Sequence, residues 1–382
     1  MIYLDNAATS WPKPEGVVKA MEKVMLDFGS NPGRGSHQGT LGVGRLVLRT
    51  RELLAQLFGV PDPSRIVFTG NATQALNMGI YGMLETGDHV ITTSMEHNSV
   101  WRPLKYLERR GVELEAVACD HEGKLNPADI QSAIKRNTKL IITTHASNVT
   151  GTVMPIEEIG KIAREHGIFY MVDAAQTAGV IPIDVEKYMI DLLAFPGHKG
   201  LLGPQGTGGL FVGPRVTLEP LIQGGTGSSS ELEFQPEALP DRYESGTLNT
   251  VGIAGLGAGL EYILSEGLDK SYQRETLLCQ SLISGLEKVP GIKIYGPRAR
   301  EERAPLVSVN LGQVDANEIA FILDRAFGIA VRSGLHCAPQ AHHTIGTLRQ
   351  GTIRFSPSSF TSEQDIASAV QAMSEIAKEL QG

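Results

Sequence analysis

An apolar strand runs into a glycine-flanked turn at Asp191-Leu192-Leu193-Ala194-Phe195-Pro196-Gly197-His198-Lys199-Gly200. Lys199 is unusual in this setting, because lysine side chains mostly lie on solvated surfaces. One interpretation is an ordinary loop lysine. The other is that burial and a neighbouring cation lower the pKa of the amine, so that it can form a Schiff base with an aldehyde. The stretch alone leaves both interpretations open.

Strands and helices alternate on both sides of this turn. Short apolar runs predict strands at Arg65–Thr69, His89–Thr93, Val112–Val117, Leu140–His145, Ile168–Val172, Asp191–Phe195 and Gly209–Val212. Helical spacing of apolar residues occurs between most of them, at Ala72–Met83, Val100–Arg110, Pro127–Lys135 and Ile156–His166. This alternation predicts an α/β fold with a largely parallel, doubly wound sheet. Ligands bind such sheets beyond the carboxyl ends of the strands.

The flanking regions have other patterns. Residues 1–15 are extended and broken by prolines, and residues 29–39 form a glycine-rich loop between two helices. Residues 223–250 are rich in Gly, Ser and Pro, which predicts a long functional loop. The remainder predicts a compact α+β unit, with elements at Leu268–Leu286, Ile292–Ile294, Leu306–Leu311, Ala316–Phe327, Ile329–Arg332, Thr352–Phe355 and Ser362–Leu380.

The composition argues against several classes of protein. The 382 residues are 41% hydrophobic and 20% charged, with a formal net charge of −8 and no basic tract, so we expect no nucleic-acid partner. The first residues do not have the pattern of a signal peptide, and no apolar run approaches the roughly 18 residues of a membrane span. Cys119, Cys279 and Cys337 lack metal-ligand spacing, so no metal is expected, and their odd, low number predicts a cytoplasmic location.

Polar residues follow several of the predicted strands. Ala72 and Thr73 begin a helix, where free N–H groups suit a phosphate, although ordinary capping accounts for the same residues. Asp173 ends an apolar strand and suits either a protonated pyridine nitrogen or a turn. His97 suits ring stacking or proton transfer, or is a solvated loop residue. Asn148 suits ligand orientation or a turn.

Two further candidates lie near the end of the chain. Cys337 occurs in a loop where Arg332 and His336 would favour its thiolate, and the alternative is a buried small hydrophobe. Arg354 lies in an apolar strand and therefore needs an anion. That anion is either a bound carboxylate or a structural ion-pair partner.

In this order and spacing, the residues resemble the pyridoxal-phosphate (PLP) enzymes of fold type I. The resemblance covers essentially the whole chain. It is narrowest to the class V aminotransferase family, and within it to the cysteine desulfurases and selenocysteine lyases. Four stretches carry it, namely Tyr3-Leu4-Asp5-Asn6-Ala7-Ala8-Thr9, Val172-Asp173-Ala174-Ala175-Gln176, Gly197-His198-Lys199 and Arg332-Ser333-Gly334-Leu335-His336-Cys337-Ala338. The short cysteine loop is similar to that of the second group of desulfurases.

The resemblance implies a large PLP-binding domain at residues 16–260, with a mostly parallel seven-stranded sheet flanked by helices. A smaller α+β domain would comprise residues 1–15 and 261–382. Two positions depart from the family pattern. Pro196 stands where a phosphate-binding serine is frequent, so one contact is absent or replaced, and Leu335 stands where many second-group enzymes have histidine.

The resemblance also implies a role for each matching position. Lys199 would hold PLP as a Schiff base, and Asp173 would pair with the pyridine nitrogen so that the ring acts as an electron sink. The other cofactor contacts would be made by Gln176, His97, Ala72, Thr73, His198 and Thr247 of the partner subunit. Asn148 and Arg354 would hold the substrate carboxylate, with Arg332 near the nucleophile.

The implied reaction converts L-cysteine to L-alanine. Lys199 would remove the Cα proton, and Cys337 would take the sulfur as a persulfide for an acceptor protein in sulfur or iron–sulfur cluster biosynthesis. Selenocysteine lyase, with L-selenocysteine as substrate, and another class V activity such as transamination or epimerisation are alternatives, as is a non-catalytic binding protein on the same fold. The implied role of Thr247 and the long loop predict a homodimer.

Overall fold

A computed structural model describes residues 1–28 and 37–381 of the chain. Its strands are β1 Ile2–Tyr3, β2 Ile66–Thr69, β3 His89–Thr93, β4 Glu113–Val117, β5 Thr138–Thr144, β6 Phe169–Asp173, β7 Leu192–Pro196, β8 Gly208–Val212, β9 Ile292–Tyr295, β10 Val307–Leu311, β11 Ile329–Ala330, β12 Arg332–Gly334 and β13 Thr352–Phe355. Its helices are α1 Glu15–Asp27, α2 Gln38–Phe58, α3 Ala72–Met83, α4 Asn98–Glu108, α5 Pro127–Ser132, α6 Ile156–Glu165, α7 Thr250–Glu266, α8 Leu268–Leu286, α9 Ala316–Phe327, α10 Pro339–Thr344 and α11 Glu363–Gln381.

The main sheet contains seven strands in the order β2-β8-β7-β6-β5-β3-β4. β8 runs antiparallel to both of its neighbours, and the other neighbouring pairs are parallel. The predicted mostly parallel seven-stranded sheet is therefore confirmed. Because β3, β5, β6 and β7 are parallel, the segments that follow them meet at one edge of the sheet.

Each face of this sheet packs against its own apolar core, which explains why inner strands such as β7 are buried on both faces. Successive side chains alternate between the faces. Leu193 and Phe195 belong to one core, whereas Leu192 and Ala194 belong to the other. All five residues of β7 are buried, so the strand is a rigid support for the turn at residues 197–200.

The carboxyl-terminal part builds a second sheet over a third core. Its antiparallel strands follow the order β12-β13-β10-β9, and helices α8, α9 and α11 contribute apolar residues such as Leu282, Leu323 and Met373. β1 pairs in parallel with β11, and Leu4 is buried in the same core. The amino-terminal segment is therefore fastened to the carboxyl-terminal part.

Two details of this part differ from the prediction. The single strand expected at Ile329–Arg332 is wrong, because β11 pairs with β1 whereas β12 pairs with β13. The loop after Cys337 contains the unpredicted helix α10, which begins at Pro339. Proline suits the first helical position because its missing N–H would be unpaired there.

The two predicted loops have different outcomes. Residues 29–36 of the first lie outside the described residues. Residues 223–249 contain no helix or strand, so the second is confirmed as a long connection before α7. No helix within residues 1–28 and 37–381 is long and apolar enough to cross a bilayer.

Candidate active site

The segments that follow β3, β5, β6 and β7 line a cavity of about 530 Å³ at the carboxyl edge of the main sheet. The start of α3 forms a further wall. Eight residues that the sequence singled out lie on the walls, namely Ala72, Thr73, His97, Asn148, Asp173, Gln176, His198 and Lys199.

Close backbone packing fixes the turn that carries Lys199. A Cβ atom on Gly200 would lie 2.5 Å from the carbonyl oxygen of Ala178, so the two turns touch through their main chains. The Ser10 hydroxyl donates to the carbonyl oxygen of Lys199 at 2.9 Å. Gln176 is tied to the same amino-terminal segment, because its Nε2 donates to the carbonyl oxygen of Ala7 at 3.3 Å.

The electrostatic surroundings of Lys199 favour a free amine. Burial first, and then the charge of Arg354, lower the pKa of the amine to about 8, although Asp173 acts in the opposite direction. More of this amine is therefore unprotonated near neutral pH than in an exposed lysine. This supports the interpretation of Lys199 as a reactive group over that of a solvated loop lysine.

Asp173 ends β6 and is 2% exposed. The N–H of Ala175 donates to its Oδ1 at 2.9 Å. Burial raises the pKa of the carboxyl, and the Ala175 N–H and Lys199 partly oppose that rise. A buried carboxylate in these surroundings is stabilised by a cationic group in the cavity.

The amino-terminal end of α3 favours an anion. Asn71 caps the helix by accepting from the N–H of Gln74 at 2.9 Å, and the N–H groups of Ala72 and Thr73 stand at the helix start. The positive end of the helix dipole and N–H groups at this position suit phosphate.

A neutral histidine and a proline stand at the same end of the cavity. His198 Nδ1 lies 3.1 Å from Thr9 Oγ1, and burial, with help from Lys199 and Lys13, lowers the pKa of His198 to about 4. His198 therefore acts as a neutral hydrogen-bonding group. Pro196, at the end of β7, has neither a hydroxyl nor an N–H to offer.

His97 is half-buried and caps α4 with its own ring. Its Nδ1 accepts from the N–H of Ser99 at 3.1 Å, and the Ser99 hydroxyl lies 2.8 Å from the same nitrogen. Burial is the main reason that the pKa of His97 falls to about 4, so the ring is neutral. The flat, neutral ring lies on the cavity wall.

Two arginines face each other across neighbouring strands beside the cavity. Arg332 of β12 is directly opposite Arg354 of β13. Arg354 is 2% exposed and pairs with Asp5, whose Oδ1 accepts from its Nη2 at 3.1 Å. Its Nη1 donates to the carbonyl oxygen of Asn148 at 3.0 Å, and its buried Nε has no hydrogen-bond partner within residues 1–28 and 37–381. Two guanidinium groups and an unpaired donor can accept a further carboxylate.

The Cys337 loop is attached to the cavity walls by two hydrogen bonds. The Asn148 side chain donates to the carbonyl oxygen of His336 at 2.7 Å, and the N–H of Asn98 donates to that of Cys337 at 2.8 Å. His336 and Cys337 have φ angles of 48° and 57°, which are strained for residues other than glycine. The thiol of Cys337 is exposed.

The expected help from His336 to this thiol is wrong. Burial lowers the pKa of His336 to about 2, and its Nε2 contacts the Thr352 hydroxyl at 3.0 Å. A neutral ring cannot supply the positive charge that favours a thiolate. Burial raises the pKa values of Cys119 and Cys279 to about 12, as expected for unreactive core thiols.

Sequence reasoning missed two residues of this site, Asp5 and Ser99. It also predicted that Thr247 serves the site of the partner subunit. Asp5 lies within a stretch that carries the resemblance, but nothing local indicates its pairing with Arg354. Ser99 had a detectable signal, because serine at a helix start commonly makes capping bonds. Thr247 is exposed, and it is not among the residues that line the cavity of its own chain. In the described ranges, no group of three or more His, Cys, Asp and Glu side chains could hold a metal.

Comparison with known proteins identifies the family. The model of the aminotransferase class-V family matches residues 2–368. A probable cysteine desulfurase from Methanothermobacter thermautotrophicus is 36% identical, over 98% of this chain and 94% of the relative. A probable cysteine desulfurase from Pyrococcus abyssi is also 36% identical, over 100% of this chain and 95% of the relative. The apo structure of a cysteine desulfurase from Thermococcus onnurineus superposes with a TM-score of 0.93 at 35% identity, covering 99% of this chain and 95% of that one. The chain therefore belongs to the aminotransferase class-V family.

Proposed function

We propose that this protein is a PLP-dependent cysteine desulfurase that converts L-cysteine to L-alanine and takes the sulfur onto Cys337. The observation that carries the proposal is the position of Cys337. Its exposed thiol belongs to a strained loop that is tied to the wall of the Lys199 cavity through Asn148 and Asn98. Transamination and epimerisation have no use for such a thiol.

The cavity fits the proposed cofactor at three points. Lys199 offers an amine with a lowered pKa, Asp173 is a buried carboxylate with room for a cationic partner, and the start of α3 suits a phosphate. The remaining contacts would come from His97 on the ring face, Gln176 on the ring oxygen, His198 and Thr73 on the phosphate, and Thr247 of the partner subunit. When bound, PLP supplies the electron sink that allows the Cα proton to leave.

The chain supplies the substrate site and the base. Arg354 and Asn148 would hold the substrate carboxylate beside Arg332, because in the described part of the chain Asp5 is the one carboxylate paired with these two guanidinium groups. The amine of Lys199, once free, would take the Cα proton at Nζ. Asp173 would remain ionised and hold the ring nitrogen protonated.

Cys337 would carry out the sulfur transfer. Its thiolate attacks the substrate sulfur, so an S–S bond forms and the Cβ–S bond breaks. The electron pair of the broken bond passes to the substrate carbon, which takes up a proton and becomes the methyl group of alanine. The balance is one enzyme thiol and one L-cysteine giving one enzyme persulfide and one L-alanine.

The exposed position of Cys337 allows a sulfur-acceptor protein to reach the persulfide. All three cysteines are free thiols, which supports a location in the reducing cytoplasm. We propose two domains, one of residues 16–260 and one of residues 1–15 with 261–382. The second domain includes the amino-terminal segment because β1 and Leu4 pack with the carboxyl-terminal part, in the third core.

The direct test is a product assay with the purified holoenzyme. With L-cysteine and a reducing thiol, we expect L-alanine and sulfide in equal amounts. A parallel assay uses L-selenocysteine. Turnover of L-selenocysteine without turnover of L-cysteine would replace the proposal with a selenocysteine lyase, and formation of pyruvate in place of alanine would replace it with a different class V activity.

The cofactor attachment is tested by borohydride reduction followed by peptide mass spectrometry. The label should lie on Lys199. Lys13 is an internal control, because burial also lowers its pKa to about 8 while its amine donates to Ser10 Oγ at 2.7 Å and to the carbonyl oxygen of His198 at 2.9 Å. A label on Lys13 in place of Lys199 would contradict the assignment.

A further inference from the structure

Ser99 connects two side chains of the proposed cofactor site. It is 9% exposed and lies on the cavity wall in the first turn of α4. Its Oγ is 2.8 Å from His97 Nδ1 and 2.9 Å from Thr73 Oγ1. Its backbone N–H is 3.1 Å from the same Nδ1. Ser99 therefore contacts one nitrogen of the ring twice and also reaches the phosphate end of the cavity.

The directions of these hydrogen bonds follow from chemistry. A backbone N–H can only donate, so His97 Nδ1 must accept and carries no proton. The neutral ring then has its proton on Nε2. The Ser99 hydroxyl can donate to Nδ1 as well and accept from the Thr73 hydroxyl, which gives a chain from Thr73 through Ser99 to His97.

The charges around His97 favour the same neutral state. Lys199 acts from the turn after β7, Arg332 and Arg354 act from β12 and β13, and Arg102 acts from α4 itself. All four are cations and lower the pKa of the ring, as does burial. The carboxylate that lines the same cavity is Asp173, and the largest influences on His97 come from burial and these cations.

We propose that Ser99 is a positioning residue that holds His97 in its neutral form with the proton on Nε2. The lone pair of Nδ1 is then occupied by Ser99, and the lone pair of the protonated Nε2 belongs to the aromatic π system, so Nε2 cannot accept. His97 can therefore stack and donate a hydrogen bond from Nε2, but it cannot accept the Cα proton. Within the proposed function, on which this consequence rests, Lys199 is left as the base.

The test uses holoenzyme labelled with ¹⁵N-histidine and solid-state ¹⁵N NMR, with His97→Gln to assign the signals. The wild type should show an unprotonated Nδ1 and a protonated Nε2 from pH 6 to pH 8. In Ser99→Ala, the Nδ1 signal should shift towards that of an unprotonated nitrogen with one hydrogen bond fewer, because the hydroxyl donor is lost while the backbone N–H of residue 99 remains. Ser99→Thr, which keeps the hydroxyl, should restore the wild-type signals. Ser132→Ala is the matched control, since its hydroxyl donates to the Ala128 carbonyl oxygen on exposed α5.

A kinetic measurement provides a second readout. Loss of a hydrogen-bond donor to the unprotonated nitrogen raises the pKa of His97. In the pH profile of kcat/KM for L-cysteine, the acid limb should therefore move to higher pH by roughly one unit in Ser99→Ala. Ser99→Thr and Ser132→Ala should leave it in place.

The proposal is overturned if the wild-type spectrum shows the proton on Nδ1. It is also overturned if Ser99→Ala changes neither the nitrogen signals nor the acid limb. Should Ser99→Ala fail to fold, the wild-type and Ser99→Thr spectra still decide. The NMR measurement does not depend on the substrate. If the His97 signals are as expected but L-cysteine is not turned over, the desulfurase proposal is contradicted and the proposed role of Ser99 is not.

Discussion

Arg354 is a buried cation whose surroundings hold an excess of positive charge. Asp5 is its ion-pair partner, whereas Arg332 lies directly opposite it and Lys199 lies near enough to lose basicity because of it. Desolvated guanidinium groups with unpaired donors favour an anionic ligand. Of the two interpretations left open by the sequence, the ion pair is present with Asp5, and the carboxylate site stays a prediction.

The first prediction concerns the guanidinium group of Arg354. In Arg354→Lys, the KM for L-cysteine should rise by roughly 10- to 100-fold, because a lysine cannot make the paired hydrogen bonds to a carboxylate. Steady-state kinetics measure this, with bound cofactor checked by absorbance. Arg325→Lys is the control, since Arg325 is exposed and pairs with Asp324. An unchanged KM with full cofactor would exclude Arg354 from the substrate site.

The residues of the site differ in how far the sequence predicts them. Lys199 and Asp173 follow apolar strands, so the cost of burying a charge marks them without any structure. Asp5 cannot be found in this way, because its partner lies 349 residues away in sequence. The neutral state of His336 could not be predicted from the sequence either, because it depends on burial by elements that are distant in the chain.

At the level of elements, the turn that carries Lys199 depends on glycine for space. Gly200 lies against the main chain of Ala178 and the side chain of Val180, each within 2.5 Å of where its Cβ would be. Both contacts belong to the segment after β6, so they set the distance between Asp173 and Lys199. A backbone carbonyl cannot move aside as a flexible side chain can.

The second prediction follows from this contact. Gly200→Ala should lower the free energy of unfolding by roughly 1–3 kcal/mol through overpacking, and should weaken PLP retention because the Lys199 turn is displaced. Urea denaturation and dialysis followed by absorbance measure the two effects. Gly44→Ala is the control, because a Cβ there meets no atom of the described residues within 4 Å, and alanine in a helix interior should add about 0.5–1 kcal/mol. Equal stability of the two variants would contradict the account.

Elements with local signals were predictable, and those fixed by distant pairing were not. The helices Ala72–Met83, Leu268–Leu286 and Ala316–Phe327 match their predicted bounds because their apolar spacing is contained within each segment. The break between β11 and β12 depends on β1 at the other end of the chain, which no local pattern reports. Helix α10 is too short to show a period.

At the scale of the whole molecule, Arg303 connects the part of the chain after residue 290 to the main sheet. It is 3% exposed, and its guanidinium donates to four carbonyl oxygens, those of Thr150, Tyr295, Pro297 and Leu306. Thr150 belongs to the same segment as Asn148, which contacts the Cys337 loop. Contacts between the two parts of the chain thus hold together the proposed substrate site.

The third prediction concerns assembly. Because Thr247 is proposed to reach the phosphate of the partner subunit, variants with weakened cofactor binding should complement each other. Thr247→Ala alone should lower cofactor affinity by roughly 10-fold or more through loss of a bond to a charged group. Refolded together, Lys199→Ala and Thr247→Ala should regain tight cofactor binding at one site per dimer, measured by absorbance.

The matched control for complementation is a mixture of Lys199→Ala with Asp173→Asn. Both of these residues serve the site of their own chain, so no complete site can form. A monomer with full cofactor, or equal recovery in the two mixtures, would rule out a shared site.

The central claim, that Cys337 accepts the substrate sulfur, is tested most directly by desulfuration of L-cysteine with the Cys337→Ala variant. The variant should keep its bound cofactor and visible spectrum, because the thiol does not hold PLP. It should form no persulfide, and its alanine production should fall to the level of a protein-free control. Cys119→Ala should retain near wild-type turnover, since burial raises the pKa of that thiol to about 12. Turnover of Cys337→Ala close to that of the wild type would contradict the account.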